Sequence, residues 1–278
     1  MSLGIRILKD RLMKVVIVLL AFATLLPLIL LLFTIVKNGI GVVNLKFLIS
    51  LPKPPGEAGG GILNSIVGTL MLITIASVIS VPFGILVGIF LAEVRNRFTE
   101  LLRLLVNVLQ GIPSIVIGIV AYFLVVKPLG GFSALSGGVA LGLMMLPMVI
   151  KNTEESLKLV PFYLKEASFS LGVNYTRTIW KVVLPTGIGG VLSGILVGLL
   201  RITGETAPLL LTAFGNPFLN LNPLKPVDAL PLLIFNYAMS PYQDWHRIAW
   251  GASFVLITIV FVLTLIARGI NQIWKTRF

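Results

Sequence analysis

The chain of 278 residues contains no cysteine and one histidine, His246. The first absence excludes disulfides, thiolate zinc sites and iron–sulfur clusters built by this chain. The second argues against a histidine-based metal centre, so no metal ligands are assigned. Charge is scarce too. Asp, Glu, Lys and Arg together make up 12% of the residues, about half of the roughly 25% usual in soluble domains. No G-x-x-x-x-G-K-S/T run occurs, so there is no P-loop to bind and hydrolyse a nucleotide. No hydrophobic run carries the several acidic side chains that a proton relay needs, and no internal repeat stands out. These absences leave little equipment for covalent chemistry, so neither catalytic residues nor a bound cofactor is expected; if the chain serves energised transport, the energy is expected from a partner or an ion gradient.

What is present is apolar. Hydrophobic residues make up 57% of the chain and the mean hydropathy is +1.03. Such a chain cannot cover its surface with polar groups, so its solvent is largely lipid. Because lipid offers no hydrogen bonds to a backbone, the spanning segments are helices or a closed barrel, and long continuous apolar runs point to an all-α integral membrane fold. A helix needs about 20 apolar residues to cross the hydrocarbon core. Six runs qualify: Val15–Val36, Ile62–Ala92, Leu101–Val126, Phe132–Ile150, Val182–Phe214 and Ile248–Ala267. Leu230–Met239 is apolar but too short to cross, and reads as a re-entrant or interfacial piece. The first run exceeds a signal-peptide core and lacks a small-residue cleavage site, and neither end carries a lipidation signal.

The excess of 22 Lys and Arg over 10 Asp and Glu, a net charge of +12, resembles that of a nucleic-acid binder until the charges are placed. With six spans, one side collects Arg6, Lys9, Arg11 and Lys14; Arg95, Arg97 and Arg103; Lys151, Lys158, Lys165, Arg177 and Lys181; and Arg268, Lys275 and Arg277. The other side holds Lys37, Lys46, Lys53, Lys127, Lys225 and Arg247. The positive-inside rule puts both termini in the cytoplasm, and no nucleic-acid partner is implied. The organisation is a cytoplasmic tail (1–14), a six-span region (15–267) containing a cytoplasmic loop (151–181), and a second tail (268–278).

That loop is not a linker. Pro161 suits the first turn of a helix. Leu164, Ala167 and Leu171 then fall on one apolar face, and Gly172 suits the left-handed residue that ends a helix. A short amphipathic helix on the cytoplasmic surface follows; by periodicity alone it rests on lipid headgroups.

The fifth run contains Arg201-Ile202-Thr203-Gly204-Glu205-Thr206-Ala207-Pro208. From Gly187 to Arg201 a helix rises roughly 21 Å, which puts Arg201 in the outer half of a core about 30 Å thick. A charge there faces a partner or an aqueous cavity. Glu205 lies one turn on and can pair with it. Pro208 frees the carbonyl of Gly204, and Thr203 and Thr206 add hydroxyls. Either the two charges neutralise each other and pin neighbouring helices, or Arg201 snorkels outward, or Arg201 passes an anion while Glu205 holds it in place without letting it bind the anion too tightly.

Asn107, Gln110 and Ser114 form a polar stripe along the third run, suited to interhelical hydrogen bonds or to lining a pathway. Gly190, Gly194 and Gly198, and Gly84 and Gly88, are small-residue ridges for close helix packing, the first of them at a candidate subunit interface. Tyr242, Trp245 and Trp250 read as interfacial anchors with His246 beside them. The outer segment Lys53–Gly61 is a plain loop or a contact for an extracytoplasmic protein.

Glu166-Ala167-Ser168, Gly172 and Leu184-Pro185, with Val182 in place of Ile, resemble the EAA signature of bacterial ABC importer permeases, with every spacing kept. The resemblance implies that the loop helix is a coupling helix seated in a groove of a cytoplasmic ATPase, with Glu166, Ala167, Ser168 and Gly172 as its contact residues. Arg201 through Phe214, Gly111 through Val116, Leu146-Pro147 followed by Thr153-Glu154-Glu155 and Val160-Pro161, and Leu230 through Phe235 with Asp244-Trp245 and Ala249-Trp250, resemble the A-type permeases of phosphate-specific transport (Pst) ABC importers. The likeness extends from about Leu101 to Trp250. It implies the six-helix permease core of a type I ABC importer in a bacterial or archaeal cytoplasmic membrane. Arg201 and Glu205 would then lie on the phosphate pathway, with Thr203, Thr206, Gln110 and Ser114 beside them. The implied partners are a second homologous permease of the C type, two ATPase subunits that use ATP and Mg, and an extracytoplasmic phosphate-binding protein. The residues themselves leave open a permease for phosphonate, sulfate or molybdate, an autonomous anion channel or carrier, and a membrane anchor for an ATPase.

Overall fold

A computed structural model describes residues 3–57 and 59–275. Arg277, counted above among the cytoplasmic cations, lies outside them. The described residues are helical, with one isolated bridge between Phe214 and Val227. The basic segments at either end continue the first and last helices, α1 (Leu3–Gly39) and α11 (Gln243–Lys275), and are not separate elements.

Between these lie α2 (Leu45–Ile49), α3 (Leu63–Glu93), α4 (Arg97–Gly111) and α5 (Ser114–Leu129). Then come α6 (Ala134–Lys158), α7 (Phe162–Ser170), α8 (Tyr175–Thr203), α9 (Ala207–Leu210) and α10 (Leu230–Ala238). Five of these helices are long and apolar enough to cross a membrane, and the number is six when the bent pair α4 and α5 is counted as one broken span.

The third run is not one straight helix. It breaks between Gly111 and Ser114 with a bend of 107°. Pro113 lacks an N–H and forces the residue before it out of the helical region, and Ile112 is extended at ψ 130°. The stripe Asn107, Gln110, Ser114 is therefore interrupted and does not run along a single face.

Two other prolines are absorbed differently. The turns Tyr122–Val126 and Ile179–Val183 are π-helical, just ahead of Pro128 and Pro185. A widened turn moves the preceding carbonyl away from the proline ring, so the helix continues.

α6 is the central helix, with most of its length buried. It runs parallel to α3, and glycines set the spacing. A Cβ at Gly84 would lie 2.6 Å from Val149 Cγ1, and one at Gly88 2.5 Å from Thr153 Cβ. The hydroxyl of Ser80 donates to the Gly142 carbonyl at 2.8 Å. α8 packs antiparallel on a neighbouring face of α6, where Gly187, Gly190 and Gly194 face Leu157, Ser156 and Asn152. The α8 ridge is thus spent inside the chain and is not at a subunit interface. Leu72, Leu141, Met145, Val149 and Ile202 fill the core between these three helices.

The segment 211–229 folds back over the N-terminal ends of α3 and α6. The amides of Ala134 and Leu135, which open α6 and have no partner within it, donate to Lys225 O at 3.0 Å and Pro223 O at 2.8 Å. The backbone turns through Phe214 (φ 68°) and Gly215 (φ 92°) to do this. α10 spans about 13 Å, too little to cross. Leu230, Leu232 and Leu233 are buried, so one side of α10 packs against the bundle. Trp245 stacks on Tyr237 of α10 with centroids 4.3 Å apart, so this indole packs within the bundle and is not a free membrane anchor. His246 Nε2 lies 2.7 Å from Ser240 O, which accounts for that imidazole.

Candidate functional site

The fifth run also breaks. α8 ends at Thr203, Gly204 caps it, and the chain restarts as the single turn α9. The helices that follow the two breaks pack on each other: a Cβ at Gly118 of α5 would lie 2.8 Å from Pro208 Cα of α9. Irregular backbone at membrane depth is tolerated where protein or a water-filled space covers it.

Ile202 and Thr203 are buried and fix the last turn of α8, which turns Arg201 to the outside of the bundle. Arg201 Nε lies 3.9 Å from Glu205 Oε1, with the two side chains 36% and 22% exposed. At that separation the charges attract without sharing a hydrogen bond. Both retain hydrogen-bonding capacity for another group. Thr203 does not face the same space: it is buried, and its hydroxyl donates to Leu199 O at 2.7 Å. Thr206 is half-buried, and its carbonyl accepts from Leu209 and Leu210 at 3.1 and 3.2 Å. Gln110 Nε2 donates to Pro147 O at 3.4 Å, an interhelical bond to α6. Ser114 opens α5 and is half-buried. Among the described residues, no hydrogen bond or ion pair joins Gln110 or Ser114 to Arg201 or Glu205.

At the opposite, basic end, α7 begins after Pro161 and ends as its sequence suggests. Gly172 has φ 73°; its amide donates to Phe169 O at 2.9 Å and the Val173 amide to Ser168 O at 3.3 Å. That pair of bonds closes a Schellman motif. The inward face differs from the one read from periodicity. Leu164 and Ser168 point in, whereas Ala167 and Leu171 are exposed, Leu171 lying at the cap where the chain leaves the helix. Ser168 bonds to the hydroxyl of Thr178 at 2.8 Å, so it braces the loop from within. Glu166 and Ala167 stand on the outer surface with Phe162 and Tyr163, 65% and 64% exposed.

Charged residues that composition could not single out lie behind this loop. Arg103 Nε and Lys158 Nζ both reach Glu154 Oε1, at 2.6 and 2.5 Å, and Arg103 Nη2 donates to Leu91 O at 2.6 Å. The pairing joins α4, α6 and the end of α3. Its only signal in the sequence is a carboxylate at the end of an apolar run. Asp228, at the other end of the molecule, carried no sequence signal at all. Its carboxylate accepts from Ser65 Oγ at 2.5 Å and Asn64 Nδ2 at 3.4 Å. Burial raises its pKa to about 6, against the lowering effect of those hydrogen bonds and of the Ala229 amide. The metal-ligating residue types form no cluster among the described residues.

A profile of the family described as "Binding-protein-dependent transport system inner membrane component" matches residues 84–278. This chain belongs to that family. Its members named as phosphate transport system permease protein PstA include one from Yersinia pestis, 40% identical over 245 residues (87% of this chain, 83% of the relative). A second, from Pasteurella multocida, is 37% identical over 265 residues (95% and 94%). Among solved structures, a bacterial ABC transporter involved in import of the acidic polysaccharide alginate superposes at TM-score 0.59 with 15% identity, over 96% of this chain and 98% of that one. The fold is that of ABC importer permeases. As a family member, the chain is a multi-pass subunit of the inner membrane that works within a multicomponent transport system.

Proposed function

We propose that this chain is the membrane-spanning permease subunit of an ATP-driven importer of inorganic phosphate. The observation that carries the reading is its likeness, over nearly its whole length, to relatives named for phosphate transport. Arg201 and Glu205 are the pathway residues. Their long contact leaves the guanidinium able to receive an oxyanion, while the nearby carboxylate prevents tight retention. Thr206, Gln110 and Ser114 flank that route, and Thr203 supports it from behind. The 36% exposure of Arg201 in the single chain favours a pathway completed by a second, homologous C-type permease, since an intramembrane cation needs cover.

The chain hydrolyses nothing. Two partner ATPase subunits bind ATP and Mg and engage α7 through its exposed Glu166 and Ala167, with Ser168 and Gly172 setting the helix's shape. An extracytoplasmic phosphate-binding protein delivers substrate to the face formed by 211–229. The permease unit is the six-span region 15–267, its coupling loop is 151–181, and the flanking tails are cytoplasmic.

The test is reconstitution in proteoliposomes. The complete importer takes up labelled phosphate only with ATP and the binding protein, and the isolated chain gives no flux. ATP-independent phosphate flux through the isolated chain would instead make it a channel or carrier. Uptake of sulfate or molybdate, but not phosphate, by the complete importer would overturn the substrate assignment.

A further inference from the structure

We propose that Glu93 is a positioning residue for energy coupling: with Lys165 and Tyr175 it fastens the coupling helix α7 to the last turn of α3, so that the two move as one lever. The proposal rests on reading α7 as the helix that the ATPase drives.

Lys165 Nζ donates to both carboxylate oxygens of Glu93, at 2.6 and 2.8 Å, and Tyr175 Oη donates to Oε2 at 2.9 Å. The Lys165 and Glu93 side chains are only 15% and 8% exposed, so the pair is poorly screened by water. Removing one partner leaves the other beside the space that both line, without its ion pair, and so releases the tie. The contact joins residues 72 apart, on elements the chain does not otherwise connect directly.

The tie matters because little else fills this place. A cavity of about 490 Å³ lies between α7 and the end of α3, with Ala92, Glu93, Phe162, Lys165, Phe169 and Tyr175 on its walls. Leu164 anchors α7 to the apolar cluster beneath, and the Ser168–Thr178 bond stays within the loop. A displacement of α7 is therefore resisted at α3 chiefly by polar contacts across a gap, not by interdigitated side chains.

Beyond Glu93 the load has a route. The Leu91 carbonyl, in the same last turn of α3, is held by Arg103 of α4, which also pairs with Glu154 of α6. α3 and α6 then pack in parallel across the membrane as far as the 211–229 segment that caps both. If the Glu93 tie opened, α7 could follow the ATPase by rotation at its two ends while α3 stayed still.

The experiment uses the complete importer in proteoliposomes and measures phosphate imported per ATP hydrolysed, with assembly followed by co-purification. Glu93→Gln retains assembly and ATP hydrolysis, but phosphate per ATP falls by about fivefold or more. The reversed pair, Glu93→Lys with Lys165→Glu, restores the ratio. A merely structural role would lower assembly and leave the ratio alone. An unchanged ratio in Glu93→Gln overturns the proposal, as does a reversed pair that assembles yet remains as uncoupled as the single variant. If Glu93→Gln fails to assemble, Lys165→Met reads the ratio from the other side of the bond, and an unchanged ratio there is equally fatal. Failure of the unsubstituted importer to take up phosphate would count against the function proposed above, not against this tie.

Discussion

The hydroxyl of Ser65 donates to the carboxylate of Asp228 at 2.5 Å, joining residues 163 positions apart at the outer end of the bundle. Ser65 lies in the first turn of α3, where the positive end of the helix dipole favours a nearby carboxylate. Asp228 also anchors the segment that supplies carbonyls to the start of α6. One short loop thereby holds the outer ends of the two helices that form the centre of the molecule.

This arrangement gives stability a pH dependence. The pKa of Asp228 is raised from 3.8 to about 6, so the folded state favours the neutral acid. Its contribution is fully present below about 4 and is lost as pH rises through about 6. The shift corresponds to about 3 kcal/mol. Thermal unfolding of the purified chain in detergent should show greater stability at the lower end of this range than at neutral pH. Asp228→Asn should flatten that dependence. A variant with the same slope as the parent would show that other groups are responsible.

Packing of α8 on α6 depends on the absence of side chains. A Cβ at Gly194 would overlap Asn152, coming within 2.9 Å of its Cγ. Gly194→Leu should lower stability by about 1–3 kcal/mol through overpacking. Gly41→Ala, at a site with nothing within 4 Å, should be silent. Equal melting temperatures for the two variants would contradict the glycine-mediated contact.

Arg103 and Glu154 form the most enclosed cross-helix ion pair of the α4–α6 contact, with side chains 26% and 9% exposed. Arg103→Met should cost about 1–3 kcal/mol, because Glu154 keeps only Lys158 and the Leu91 carbonyl loses its donor. Adding Glu154→Leu should recover part of the loss. A double variant less stable than Arg103→Met would argue that Glu154 is held mainly by Lys158.

Gly172 adopts φ 73°, which costs a side-chain-bearing residue about 1–2 kcal/mol. Gly172→Trp should therefore distort the end of α7 and weaken ATPase docking, while membrane insertion stays normal. Undiminished co-purification of the ATPase with that variant would remove α7 from the docking surface.

Arg201→Gln should abolish phosphate uptake with the complex still assembled, since the side chain is exposed and makes only a 3.9 Å contact with Glu205. Uptake assays beside co-purification separate the outcomes. Retained uptake would leave the pair a structural one.

Much of the architecture was legible from sequence because bilayer thickness imposes a length on every apolar run, and asymmetric basic residues set its direction. The end of α7 was legible for a local reason: Gly172 is the residue that tolerates a left-handed backbone. The inward face of that helix was not, because three positions at helical spacing do not say where the helix stops. The glycine ridge of α8 announced a close contact without naming the partner, which proved to be α6 of the same chain. The break at Ile112–Pro113 was visible as a proline, but prolines at 128 and 185 are absorbed by widened turns. Whether a proline bends a helix or is accommodated depends on the neighbouring packing.

Residue order alone determined that the chain is an integral membrane protein with its basic residues gathered on one side, because composition, run length and charge placement are properties of the chain in any fold. Tertiary structure decided which of its few carboxylates have partners. Glu93, Glu154 and Asp228 meet Lys165, Arg103 and Ser65 across 72, 51 and 163 residues. Pairing at such separations is set by how helices cross, and a buried carboxylate is stable only where that crossing supplies it with a donor.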